Sequence, residues 1–181
     1  MTVPDVATPP RNREHFEKLM AFAREVVAAC DEAGVEPVLD GGLAVFAYTR
    51  DPNLEVRDVD FGCPESDFPR LERALQRRGI FVEITSWHVL QARRDGLKIE
   101  FGAVEHWNRD IPDHPEPMKI AGIAFRVMHV DGLREQYRHG AENTAEGAVD
   151  SDPVRHRAIS EKLELLDRRL EVEVDGQSST T

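Results

Sequence analysis

The segment Val56 to Cys63 (VRDVDFGC) alternates well. Arg57, Val59, Phe61 and Cys63 fall on one side, and Val56, Asp58, Asp60 and Gly62 on the other. Successive side chains of a strand point to opposite faces, so this pattern predicts a strand with one largely apolar face and two carboxylates side by side on the other. Further β-rich runs follow at Ile80–Ile84 and Trp87–Ala92. Asp95-Gly96 is a hairpin signal leading into a strand over Leu97–Val104, and Ile123–Val130 reads as another strand.

Helical signals surround these strands. Phe16, Leu19, Met20, Ala23, Val26, Val27 and Cys30 recur at three- and four-residue steps, which predicts an amphipathic helix over 13–33 with Gly34 as its stop. Val35–Leu39 is a short apolar run reaching Asp40-Gly41-Gly42, and a short helix is expected over 43–48. Ser66 can cap a helix carrying Leu71, Ala74 and Leu75, and Asp131 one running through Tyr137. Asp152 as cap with Pro153 in the first turn predicts a closing helix to about Leu170. Three prolines mark 106–117 as a loop, and 139–152 shows little periodicity. The domain reading is a flexible arm over 1–12, a single domain over 13–174 (a core at 13–105, then strand and helices at 106–174), and an unstructured tail at 175–181. Strands thus dominate the middle of the chain, with helical segments before, between and after them.

Charge narrows the functions. There are 34 acidic residues against 23 Lys and Arg, a net charge of −11. That surplus disfavours nucleic acid as a partner, because phosphate binding needs clustered cations, and it suits either a cationic small substrate or acids that hold metal. No apolar run reaches the roughly 18 residues of a membrane span, and the first residues lack a signal-peptide pattern, so a cytoplasmic protein with no membrane association is expected. Cys30 and Cys63, without CxxC spacing, read as buried free thiols.

Three features carry chemistry. Asp58 and Asp60 share a strand face, and two carboxylates held that close repel unless a proton or a cation intervenes. Gly41-Gly42 lies between a strand and a helix, where absent side chains let backbone N–H groups approach phosphates. Glu100, on Lys98-Ile99-Glu100-Phe101, faces away from the apolar side formed by Leu97, Ile99 and Phe101. Taken singly, each has an ordinary reading as a solvated strand face, a tight turn or a surface acid.

Together, LDGGLAVFAYTR (39–50), VRDVDFG (56–62) and KIEFG (98–102) resemble the nucleotidyltransferase superfamily (the DNA polymerase beta-like fold). The 15 residues between Gly42 and Asp58, and the step of 40 from Asp60 to Glu100, are similar to those of the small antibiotic-modifying members, the aminoglycoside and lincosamide nucleotidyltransferases. The resemblance spans roughly residues 13–170 and implies an α+β fold, a nucleotidyltransferase-like mixed β-sheet flanked by helices with a C-terminal helix. It implies that Asp58, Asp60 and Glu100 hold Mg2+ and form the catalytic set, and that Gly41 and Gly42 position the phosphates of a nucleoside triphosphate, with ATP the favoured donor. It also implies transfer of a nucleoside monophosphate to a hydroxyl of a small acceptor, such as an aminoglycoside, with release of pyrophosphate. Glu100 stands where many antibiotic-modifying members use Asp, and it can serve as general base as well as metal ligand. Glu105 is a rival but falls on the Leu97 side of a regular strand.

Arg50 and Lys162 are further candidates for phosphate contact; a helix-end cation and a charge beside an apolar stripe are the plain alternatives. Arg57 points away from the Asp pair on a regular strand. Asp110, Asp113 and His114 can be read as a metal cluster or as a solvated proline-rich loop. Trp87 and Trp107 suit packing or a pocket rim. The acids of 142–152 can attract a cationic acceptor or simply solvate a connector. Two other functions compete: a toxin-type nucleotidyltransferase modifying tRNA or protein, which needs a basic groove for which Arg73, Arg77, Arg78, Arg93 and Arg94 are the candidates, and a non-catalytic nucleotide-binding protein.

Overall fold

The computed structural model of the protein describes residues 5–6, 9–107, 111 and 114–177. Its centre is β3 (Val59–Cys63), which pairs antiparallel with β2 (Val38–Asp40) and parallel with β6 (Leu97–Ala103). The register sets Asp60 opposite Asp40 on one side and Glu100 on the other. Beyond β6 lie β5 (Val89–Arg94) and β4 (Phe81–Ile84), a meander turned at Asp95-Gly96, where both residues take positive φ of 50° and 78° as a type I′ turn requires. Beyond β2 lie β8 (Ile123–Val127), β7 (Glu116–Ile120) and β1 (Asp5–Val6). The eight strands form one mixed sheet in the order β1-β7-β8-β2-β3-β6-β5-β4.

Helices flank that sheet, and the class is α+β as expected. The long helix α1 (Arg13–Ala33) ends at Gly34, whose φ of 63° closes a left-handed cap, and it packs against α3 (Phe68–Arg77). The short helix α2 (Gly41–Thr49) is apolar nearly all round, with Leu43, Ala44, Val45 and Phe46 fully buried. It is enclosed by α5 (Val130–Thr144) and α6 (Pro153–Gln177), which also pair with each other; α4 (Val104–Trp107) is a single turn after β6. On the core face of the sheet, Phe61 stacks on Phe101 at 5.0 Å, and Ile99, Phe101 and Ala103 are fully buried. Cys30 and Cys63 are buried free thiols, and burial raises the Cys63 thiol to about 12. Among the described residues no helix is long and apolar enough to cross a membrane.

Several boundaries differ from the sequence expectation. Within the expected arm at 1–12, Asp5–Val6 pairs with Lys119 and Ile120, and Val6 is buried. The regular part of β3 begins at Val59, so Asp58 precedes the strand. The helical turn at Ser66 is a short 3-10 turn (Glu65–Asp67) in which Ser66 makes no cap, and the α-helix starts at Phe68. Strand β7 falls in and after the expected loop at 106–117, with Pro117 opposite Arg126 of β8. Helix α5 runs on to Thr144, and α6 continues past Leu170 to Gln177, into the expected tail. Its start follows expectation: Asp152 Oδ1 accepts from the N–H groups of Val154 and Arg155, both at 3.0 Å.

Candidate active site

Strand register brings two of the acids together. Asp60 and Glu100 are adjacent on parallel neighbours, and Asp58 turns back onto them from the segment before β3, so that the three offer carboxylate oxygens within 4.8 Å of one another. Burial is the first cause of a raised Asp60 pKa, followed by the charges of Asp58, Asp40 and Glu100; together they lift it to about 8. Asp40, itself 6% exposed, accepts from Gln136 Nε2 at 3.5 Å. Gln136 Oε1 is a buried acceptor without a hydrogen-bond partner among the described residues.

Lys98 answers part of this negative charge. Its Nζ donates to Glu100 Oε2 at 2.8 Å and lies 3.5 Å from Asp58 Oδ2. Partial burial depresses its pKa, but the Glu100 hydrogen bond and the charges of Glu100, Asp58 and Asp60 leave it raised. Glu100 also accepts from Gln91 Nε2, which holds the carboxylate against the sheet. The donor set fits Mg2+, a hard cation that takes oxygen ligands, and a dication would offset the burial and carboxylate repulsion that together raise the Asp60 pKa.

Gly41 and Gly42 open α2 beside these acids rather than preceding the helix. Gly41 has φ of 65°, and a Cβ on it would lie 2.3 Å from Asp60 Oδ2. Only glycine admits that carboxylate so close to the helix start. Lys162 arrives from α6: its Nζ lies 3.5 Å from where a Cβ on Gly42 would sit, and 5.7 Å from the Tyr137 ring centre. Burial lowers the Lys162 pKa, against the opposing pull of Asp58 and Asp60. The buried Tyr137 hydroxyl has its pKa raised, first by burial and then by Asp40, Asp60 and Asp58.

Thus Asp58, Asp60, Glu100, Gly41, Gly42 and Lys162 come together. Arg50 does not. It caps the C-terminal end of α2, exposed, and a nine-residue helix puts it roughly 13 Å from Gly41. Arg57 is exposed and pairs with Glu55 at 2.9 Å. Glu105 accepts from the Glu65 N–H, away from the three acids. Asp110 and Asp113 lie outside the described residues. Of the arginines suggested for a basic groove, Arg78 and Arg94 are paired with Glu32 and Glu25 at 3.3 and 2.7 Å. Sequence reasoning missed Asp40, Lys98 and Tyr137. A signal existed for the first two: Asp40 directly precedes the glycines, and Lys98 shares strand parity with Glu100.

A mixed sheet that gathers three acids beside a glycine-opened helix is the architecture of a nucleotidyltransferase, and the comparisons agree. The chain belongs to the aminoglycoside-2''-adenylyltransferase family, whose model matches residues 23–161. No curated protein sequence matches the chain. Among solved structures, the antibiotic-resistance factor ANT(2'')-Ia in complex with adenylyl-2''-tobramycin aligns with a TM-score of 0.58 at 20% identity, covering 85% of this chain and 92% of that one. An antigenic nucleotidyltransferase-like protein from Paracoccidioides brasiliensis aligns at 0.58 and 13% identity, covering 87% and 77%. The lincosamide antibiotic adenylyltransferase LnuA, with lincomycin bound, aligns at 0.53 and 12% identity, covering 83% and 96%. At these identities the structural likeness speaks to the fold; the family model speaks to the enzyme class.

Proposed function

We propose that this enzyme transfers a nucleoside monophosphate, AMP from ATP, to a hydroxyl of an aminoglycoside-type acceptor, and that it requires Mg2+. The observation that carries this reading is the convergence of Asp58, Asp60 and Glu100 within 4.8 Å, directly beside the Gly41-opened end of α2. Family membership and the adenylylated tobramycin held by ANT(2'')-Ia support the choice of donor and acceptor.

Asp58, Asp60 and Glu100 would hold the metal. When bound, Mg2+ supplies Lewis-acid stabilisation of charge on the attacking and leaving oxygens at the α-phosphorus. The first amides of α2, bare at Gly41 and Gly42, present N–H groups and the positive end of the helix dipole to the phosphates. Lys162, held beside Gly42, adds a cation there. Glu100 accepts the proton of the attacking hydroxyl, and Lys98 and Gln91 orient its carboxylate for that task. Attack on the α-phosphorus forms the new P–O bond, breaks the bond to the β-phosphate and releases pyrophosphate. The exposed acids Glu142 and Glu146, on the α5–α6 side of the molecule, favour a cationic acceptor over a polyanionic one.

The test is pyrophosphate release measured with Mg2+, each nucleoside triphosphate and a panel of aminoglycosides, lincosamides and tRNA. Release that depends on an aminoglycoside and disappears in Asp60→Ala supports the proposal. Release with tRNA alone would replace it with the toxin-type reading, and failure to bind Mg2+-nucleotide would leave a protein that keeps the fold without turnover.

A further inference from the structure

A second group of ligand-type side chains lies where β3 and β6 leave the sheet. Cys63 ends β3 opposite Ala103 on β6, and Glu65 and His106 follow in the 3-10 turn and in α4. His88 comes from the turn between β4 and β5 and is held to the same edge by its carbonyl, which accepts from the Ala103 N–H at 3.0 Å. The three residues of β3 from Asp60 to Cys63 span roughly 10 Å at ~3.3 Å per residue, so this group is separate from the three acids.

Its geometry is tight. Glu65 Oε1 is 2.9 Å from His88 Nδ1 and Oε2 is 3.2 Å from His106 Nε2, and the ligand atoms of all three lie within 4.8 Å of one another. The two imidazoles stack with centres 3.6 Å apart and planes 9° from parallel. Further hydrogen bonds tie the ligand-bearing segments to one another. The Glu65 N–H donates to the Glu105 carboxylate at 3.2 Å, and the Trp107 indole N–H donates to the Trp87 carbonyl at 2.9 Å. His88 is held at φ of 58°, a left-handed conformation uncommon for a residue other than glycine, with its N–H on the Thr85 carbonyl at 3.2 Å.

We propose that Glu65, His88 and His106 form a transition-metal site, with Zn2+ as the ion it takes, distinct from the Mg2+ site. Two imidazoles and one carboxylate are a three-ligand set that leaves a fourth tetrahedral position for water. Imidazole selects Zn2+ and its neighbours over Mg2+. With bonds of ~2.0–2.1 Å, neighbouring ligands of a tetrahedral Zn2+ stand about 3.3 Å apart, close to the contacts already present. Imidazole lone pairs lie in the ring plane, so a shared ion opens the two rings from their stack. The Glu65, His88 and His106 side chains are each a little over 40% exposed, so an ion reaches them without unfolding the chain. The bound ion ties the β4–β5 turn to α4 and to the end of β3.

The experiment is a calorimetric titration of the full chain with Zn2+ in saturating Mg2+, together with NMR of the histidine ring resonances. One equivalent should bind, shifting His88 and His106 and leaving His15 and His139 in place. Loss of an outer partner alone costs ~10–100-fold in metal affinity, so His88→Asn, which tolerates positive φ, or His106→Gln should weaken Zn2+ by at least ~100-fold. Asp60→Asn should leave it unchanged. No stoichiometric binding to the wild type, retention of the site in the His88→Asn, His106→Gln double variant, or its loss in Asp60→Asn would each overturn the proposal. The wild-type NMR result stands even if a histidine variant fails to fold.

Discussion

Gly41 carries two constraints at one position: a positive φ, and a carboxylate oxygen where a Cβ would be. Gly41→Ala is expected to cost about 1–3 kcal/mol from the left-handed backbone alone, with the displaced Asp60 adding to it, and thermal melting with activity assays will show both losses. Asp60 gives a pH signature. Its folded pKa, about 8, lies above the unfolded carboxylate value near 3.8. Its protonation therefore favours the fold at low pH, and that contribution is lost as pH rises from the unfolded value through about 8. Metal-free wild type should lose melting temperature over that window, whereas Asp60→Asn should lose less and melt higher at pH 8 while being inactive. Addition of Mg2+ should offset the alkaline loss in the wild type only. The acids themselves were legible in the sequence because strand parity exposes shared faces. Asp58 reached the cluster by another route, from outside the regular strand, and Asp40 entered through cross-strand register, which depends on pairing that no local pattern encodes.

At the scale of elements, the helices declared themselves and the weaker strands did not. The 3.6-residue pattern and the Gly34 stop placed α1 at Arg13–Ala33, and Asp152-Pro153 placed the start of α6. Strand β7 was hidden by Pro115 and Pro117, which read as loop in the sequence, although Pro117 pairs with Arg126 of β8. The two-residue β1 has no pattern to detect and exists through its pairing with β7. Arg50 was drawn to the site by closeness in sequence, yet the helix between it and Gly41 carries it away. Helix α6 connects packing to chemistry, because Leu166, fully buried, lies one turn beyond Lys162. Leu166→Ala should cost ~2–5 kcal/mol in urea unfolding. Lys162→Ala, on the same helix, should change stability little and raise KM for the nucleotide about tenfold in steady-state kinetics, the equivalent of ~1.4 kcal/mol.

Across the whole molecule, a net charge of −11 acquires structure. Some of it is concentrated at Asp40, Asp58, Asp60 and Glu100 and only partly answered by Lys98, and some is spread over the exposed acids that follow α5. A cationic acceptor drawn by that field should show a KM that rises with NaCl, since screening shortens the reach of exposed charges to about 8 Å at physiological ionic strength. An uncharged acceptor should show no such slope. Chain-wide charge was legible from composition; its partition between the cluster of Asp40, Asp58, Asp60 and Glu100 and the exposed acids after α5 required the fold. The most direct test of the central claim is the mass of an aminoglycoside incubated with ATP, Mg2+ and either wild-type enzyme or the Asp58→Asn, Asp60→Asn and Glu100→Gln variants. The expected result is a gain of one adenylyl group with the wild type and no gain with any Asp variant, with Glu100→Gln slowed by at least ~100-fold as the loss of a general base implies. An unmodified acceptor with folded, nucleotide-binding wild type, or full modification by Asp60→Asn, would contradict it.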